Sequence, residues 1–110
     1  MPVTFEAIRK MALVLDHVEE GMSYGTPGFK VKGALLARLR GDLGALVVRM
    51  SMDDRQELMA ADPETYFITD HYLNYPWILV RMSRVQPDAM RDLLRGAWKL
   101  AAAEKKKGRR

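Results

Sequence analysis

Two groups of side chains in this sequence have types and spacing that could do chemistry. Lys30, Lys32, Arg38, Arg40 and Arg49 alternate with apolar residues inside Ser23–Met50, SYGTPGFKVKGALLARLRGDLGALVVRM. Alternation of this kind marks half-buried strands, so the cations should share a sheet face. Lysine and arginine so placed suit phosphate contact, the main source of sequence-independent affinity for nucleic acid. The second group is Tyr24, His71, Tyr72, Tyr75 and Trp77, most of it in the run HYLNYPW. Such rings could stack a base or line a small-molecule or peptide pocket. The ordinary alternatives are a solvated outer sheet face for the cations and a loop packed by its own rings for the aromatics.

Register can be argued from faces, because directly opposed residues in a pleated sheet share one. The strands are Phe29–Lys32, Leu35–Arg40 and Leu46–Met50. A loop of Gly33 to Leu35 sets Lys30 opposite Arg38 and Phe29 opposite Leu39, which separates basic from apolar. The turn Gly41–Gly44 then sets Arg38 opposite Arg49 and Leu39 opposite Val48. A basic row Lys30–Arg38–Arg49 is expected across three strands, with Lys32 and Arg40 beside it. Opposed like charges cost roughly 0.2–1 kcal/mol, so the row needs solvent, carboxylates from elsewhere or an anionic partner. Glu19, Glu20 and the acidic stretch Asp53–Glu64 are the candidate counter-charges.

The elements that must position these residues follow in order. Phe5 to about Leu15 reads as an amphipathic helix capped by Thr4. Val18–Tyr24 is a weaker strand candidate, and Gly25–Gly28 is a turn. Ser51 to about Asp62 reads as a helix, with Ser51 and Asp54 near capping-box spacing and Pro63 as its stop. Tyr66–Thr69 is a short strand, His71–Pro76 an aromatic loop, and Trp77–Met82 a strand apolar on both faces, hence central. Pro87 to about Ala103 is a closing helix with a wide apolar stripe.

At 110 residues, with 48% hydrophobic and 29% charged residues, the chain suits one soluble domain with a single core. Formal net charge is +4. The segment Glu104–Arg110, EKKKGRR, carries that whole excess, so residues 1–103 balance to zero. The high isoelectric point is therefore a property of the tail and does not indicate a nucleic-acid domain. The absence of cysteine excludes disulfides and thiolate metal sites and fits a cytoplasmic setting. No apolar run is long enough to span a membrane, and the N-terminus lacks a signal-peptide pattern.

Nothing supports an enzyme. There is no assignable Ser/His/Asp set, and His17 and His71 are too far apart in sequence for a metal motif. Asp53, Asp54 and Glu57 fit helix-end and surface roles better than a metal site. No catalytic residue, metal or cofactor is expected.

The segments GMSYGTPGFKVKG and ADPETYFITDHYLNYPWILVRM together resemble the MmcQ/YjbR family. Family members carry a similar SYGTPAFKV segment and a later DPETFF…HY…YPWVLVRL segment, followed by a helix ending near Ala-Trp, here Ala97-Trp98. Gly28 stands where alanine is usual. The resemblance covers nearly the whole chain up to the tail. It implies a CyaY-like (frataxin-like) α+β fold, an antiparallel sheet with the N- and C-terminal helices packed on one face. It also implies DNA binding, in a double-wing arrangement.

The expected organisation is one domain over residues 1–103 and a basic flexible tail over 104–110. The leading expectation for function is a small cytoplasmic DNA-binding domain using the basic sheet face. The alternative is a protein- or small-ligand-binding module using Tyr72–Trp77. No membrane partner is expected; an unknown protein partner and a monomer or weak homodimer stay open.

Overall fold

The computed structural model describes residues 3–107, with side chains described through Glu104. Helix α1 (Phe5–Leu13) leads into strands β1 (Val18–Ser23), β2 (Thr26–Val31), β3 (Ala34–Arg40) and β4 (Ala45–Arg49). Helix α2 (Met52–Ala61), strands β5 (Tyr66–Phe67) and β6 (Trp77–Arg81), and helix α3 (Pro87–Lys107) complete the fold. The strands form one antiparallel sheet in the order β1-β2-β3-β4-β6-β5. This is the α+β architecture expected. Both predicted caps are present: Thr4 Oγ1 accepts from Ala7 N–H, and the Ser51 hydroxyl accepts from Asp54 N–H.

Helices α1 and α3 cover one face of the sheet. Phe29, Val31, Leu36, Leu46, Val48, Ile78 and Val80 meet Ile8, Ala12, Met90, Leu94 and Ala97 there, in the main core. Phe5 of α1 stacks on Phe29 with ring centroids 5.7 Å apart. Strand β6 is well covered, as its two apolar faces imply, with Ile78, Leu79 and Val80 fully buried; it lies inside the sheet between β4 and the short edge strand β5, next to the edge and not at the centre.

The register differs from expectation in an instructive way. The β2–β3 turn is the two-residue Lys32-Gly33, with φ of 51° and 89°, and not Gly33–Leu35. A two-residue turn of this kind suits the twist of a hairpin, but it has the wrong parity for the faces. The chain corrects this with a bulge. Val31 and Lys30 pair with Ala34 and Leu35, then Phe29 and Gly28 pair with Ala37 and Arg38, leaving Leu36 as the extra residue. Leu36 and Ala37 are consequently both buried, and Lys30 and Arg38 still share the outer face. Beside the bulge the backbones run close. A Cβ at Gly28 would lie 3.0 Å from the Ala37 carbonyl oxygen and from Arg38 Cβ, so glycine relieves that approach.

Between β3 and β4 the pairing starts at Arg40↔Ala45, closed by a 3-10 turn over Gly41–Leu43 and Gly44 at φ 63°. Arg38 therefore faces Val47, not Arg49, and Leu39 faces Leu46, not Val48. Lys30 faces Leu35, and Arg49 faces Trp77. The outer face is basic, but none of its cations opposes another across these strands. The expected like-charge cost between opposed residues does not arise.

Three smaller boundaries also move. The first hairpin turn is Tyr24-Gly25, both at positive φ (53° and 80°), and Thr26–Gly28 belong to β2 and not to a turn. Strand β5 is only Tyr66–Phe67. Helix α3 continues past the expected tail boundary at Glu104 to Lys107, while residues 108–110 of the expected tail lie outside the described residues.

Gly96 lies in the interior of α3 and is exposed, and a Cβ there would meet nothing within 4 Å. Glycine costs about 0.5–1 kcal/mol relative to alanine at such a position. Gly96→Ala is expected to raise the urea midpoint by a corresponding amount. A lower midpoint would contradict the open space seen around that position.

Candidate functional site

The second face of the sheet is not simply solvated. The segment after β5 folds back over it through a 3-10 turn at Asp70–Tyr72. Tyr72, 5% exposed, packs with Ala45, Val47 and Leu79 in a second apolar cluster, flanked by Phe67 and Trp77. One edge of the outer face is thus roofed and the rest left open. Between them lies a cleft of about 770 Å³.

This cleft brings the two sequence-derived groups together. Lys30, Arg38 and Arg49 line it from the sheet, and Tyr24, His71, Tyr72, Tyr75 and Trp77 from the turn and the loop. Among the described residues, no aspartate or glutamate lines it. Tyr24 and Tyr75 are exposed, at 85% and 58%, so their rings are available for stacking. Trp77 is half-buried, and Tyr72 is a wall.

Two candidates are placed elsewhere. Lys32 occupies the β2–β3 turn, is exposed, and does not line the cleft. Arg40 points from the outer face toward its own turn. Its Nε and Nη2 donate to the Asp42 carboxylate at 3.0 and 2.8 Å, and its Nη1 donates to the Tyr72 hydroxyl at 3.1 Å. These contacts raise its pKa above the usual guanidinium value, the Asp42 bond contributing most. The same bond holds Asp42 below the usual carboxylate range.

The two arginines that remain are held in fixed poses. Arg38 Nη1 donates to Thr26 Oγ1 at 3.1 Å and its Nη2 to the Tyr72 hydroxyl at 3.2 Å, with its guanidinium 5.2 Å from the Tyr24 ring centroid. Arg49 lies 4.7 Å over the Trp77 ring, and its Nε donates to the Leu35 carbonyl at 2.8 Å. Guanidinium planes over aromatic faces gain cation–π attraction and lose little further entropy on meeting an anion.

Counter-charges come from unexpected places. Arg49 pairs with Glu104 of α3 at 2.8 Å, whereas Glu20 turns to Arg9 of α1 at 2.7 Å. Glu19 stands across from Lys30 in the β1–β2 ladder, without an ion pair between them among the described residues. The acidic helix α2 supplies no carboxylate to the row. Arg38 and Lys30 have no carboxylate within ion-pair distance among the described residues.

One residue that sequence reasoning passed over holds the site together. Arg55 of α2 is 8% exposed. Its Nη1 lies 2.9, 2.8 and 3.1 Å from the carbonyl oxygens of Tyr72, Tyr75 and Trp77, and its Nη2 donates to that of Leu73 at 2.9 Å. A single guanidinium thereby gathers the aromatic loop. Its signal was present: the lone cation of an acidic helix, on the face shared by Leu58 and Met59 at helical spacing.

Among the described residues, no group of three or more His, Cys, Asp or Glu side chains is arranged to hold a metal. No helix among them is long and apolar enough to cross a membrane.

The YjbR family model matches residues 13–100, which include both strand motifs, the aromatic loop and most of α3. The chain belongs to the YjbR family. This YjbR-family chain is 36% identical over 45 residues to uncharacterised proteins of Mycobacterium tuberculosis (Rv2570) and Mycobacterium bovis (Mb2600). That match covers 41% of the chain and 35% of each relative, so it spans about a third of the curated relatives' length. A crystal structure of Deinococcus radiodurans protein DR2400, a DUF419 domain, superimposes with a TM-score of 0.78 at 23% identity. It covers 89% of this chain and 78% of that one, and shows that the fold is shared.

Proposed function

We propose that this YjbR-family chain is a non-enzymatic binding domain for nucleic acid, taking unpaired nucleotides in the outer-face cleft. The observation that carries the reading is the convergence of Lys30 and Arg38, which have no carboxylate partner among the described residues, and of Arg49 with Tyr24, Tyr75 and Trp77 on one concave surface. Rings offer stacking to base faces and the cations offer contact to phosphates, the combination used to hold single strands. A recessed cleft favours this over a duplex, in which base faces are hidden in the stack and contact comes from elements that protrude into a groove. The DNA-binding expectation is thereby narrowed to unpaired strands.

The cleft volume also lies in the usual range for small-molecule sites, about 300–1,000 Å³, which favours a mononucleotide as the second reading. Fluorescence anisotropy with a labelled single-stranded oligodeoxynucleotide, and with the same sequence as a duplex, separates these at ~50 and ~200 mM salt. The single strand is expected to bind more tightly, and deletion of residues 104–110 to weaken it only in part. Preference for the duplex, or complete loss on removing the tail alone, would overturn the cleft as the binding surface. Full displacement by micromolar mononucleotide would favour the second reading.

A further inference from the structure

The Tyr72 hydroxyl is in an unusual position for a nine-tenths-buried phenol. Its oxygen accepts from two guanidinium groups at once, Arg38 Nη2 at 3.2 Å and Arg40 Nη1 at 3.1 Å. A phenolic oxygen can accept through its lone pairs and donate a single proton. With two N–H donors already on the oxygen, the hydrogen-bonding capacity that remains is its own O–H. Among the described residues nothing accepts that proton, and Tyr72 and Arg38 both line the cleft.

From this geometry we propose that Tyr72 is the fixed hydroxyl donor of an oxyanion subsite, built for a phosphate or carboxylate oxygen. The inference rests on the cleft being the ligand site and names the group that the ligand places at its wall. Each part has a physical reason. Two cations on the phenol oxygen draw electron density from it and strengthen the O–H as a donor, as in any polarised hydrogen-bond chain. Asp42 fixes Arg40 through two bonds and leaves Nη1 for Tyr72. Thr26 holds Arg38 through one bond, from Nη1 to its Oγ1, and leaves Nη2 for Tyr72. The donor is therefore oriented before any ligand arrives, and the nearby charge favours an anion over a neutral acceptor.

A merely structural tyrosine would tie the loop to the sheet and do no more, and the two roles separate by measurement. Thermal unfolding is followed in increasing inorganic phosphate, acetate or chloride at matched ionic strength, for the wild type and Tyr72→Phe. Phosphate is expected to raise the wild-type midpoint saturably, with the Arg38 and Arg40 Nε–H resonances shifting along the same isotherm. Tyr72→Phe should weaken that apparent affinity about tenfold, the usual weight of one charge-assisted hydrogen bond. Saturation by acetate in place of phosphate would assign the subsite to carboxylates.

A structural role predicts instead a lower midpoint in chloride with an unchanged phosphate response, and that result overturns the proposal. So does the lack of a saturable response to either oxyanion. Should Tyr72→Phe not fold, Arg40→Gln removes one of the two donors behind the oxygen and is expected to weaken phosphate about threefold. Oligonucleotide binding without a phosphate response would overturn the subsite alone. A phosphate response without oligonucleotide binding would overturn the nucleic-acid reading alone.

Discussion

Replacing Arg55 with alanine is expected to lower the free energy of unfolding by about 3 kcal/mol, the scale for hydrogen bonds to a buried charge whose partners are then left unmade. Four carbonyls from Tyr72, Leu73, Tyr75 and Trp77 converge on this one guanidinium. Without it they must find water inside a closed loop or turn outward and take the loop with them. Urea denaturation measures the first consequence. Hydrogen exchange of the amides in residues 70–77 measures the second, because the loop should lose protection while the β2–β3 hairpin keeps its own. Arg55→Lys should recover little, since an ammonium cannot present a planar fork to acceptors on several sides. A loss below about 1 kcal/mol for the alanine variant would show that the carbonyls are easily rehydrated and that the loop does not depend on α2. The Arg55 variants should also weaken any cleft ligand, as Tyr72 and Tyr75 are walls of the site.

Arg38→Glu tests binding with a larger expected effect than other single changes in the cleft. The substitution removes a charge-assisted contact worth about 2 kcal/mol and sets a repelling carboxylate in its place. A single-stranded oligonucleotide should bind roughly 30-fold more weakly at low salt, by the usual conversion of 1.4 kcal/mol per decade. The salt slope should fall by about 0.7, the value for one phosphate contact on a single strand. The variant's fold can be checked separately by its melting temperature. Arg38 is half-buried and its partners are the Thr26 and Tyr72 hydroxyls and the Tyr24 ring, so that check separates a loss of binding from a loss of fold. Unchanged affinity would remove the sheet face from the binding surface and leave the basic C-terminal residues as the source of any binding.

The register of β2, β3 and β4 shows how far local reasoning reaches. Apolar and basic residues alternate from Phe29 to Arg49, and that pattern assigns Lys30, Arg38 and Arg49 to one face. It cannot choose between pairings that differ by two residues, because such a shift returns every side chain to its own face. Arg38↔Arg49 and Arg38↔Val47 are equivalent by that criterion. The 3-10 turn at Gly41–Leu43 and left-handed Gly44 decide for Val47. The Lys32-Gly33 turn was hidden for a related reason. Its parity is wrong unless a bulge is added, and the extra residue, Leu36, is an apolar residue among apolar residues.

The site was legible in its parts and not in its assembly. The basic row and the aromatic loop are each visible as local patterns. Their meeting depends on a fold-back of residues 68–76 over the outer face of β3 and β4, strands that lie well before it in the chain. Arg55 and Glu104 belong to the same class of fact. The partners of Arg55 are backbone carbonyls, which carry no sequence signature, and the partner of Glu104 is Arg49, far earlier in the chain.

What the amino-acid sequence determined by itself was therefore periodic and local. It specified helices by their 3.6-residue stripes and caps, strands by alternation, the burial of the strand starting at Trp77 by its two apolar faces, and the family by two motifs. What tertiary structure alone decided was which charges meet. Ion pairs and carbonyl contacts act across distances of a few ångströms between residues far apart in sequence, and periodicity does not encode them. Folding the loop onto the sheet turned a strip of cations into a walled cleft, with the Tyr72 hydroxyl accepting from two of the arginines.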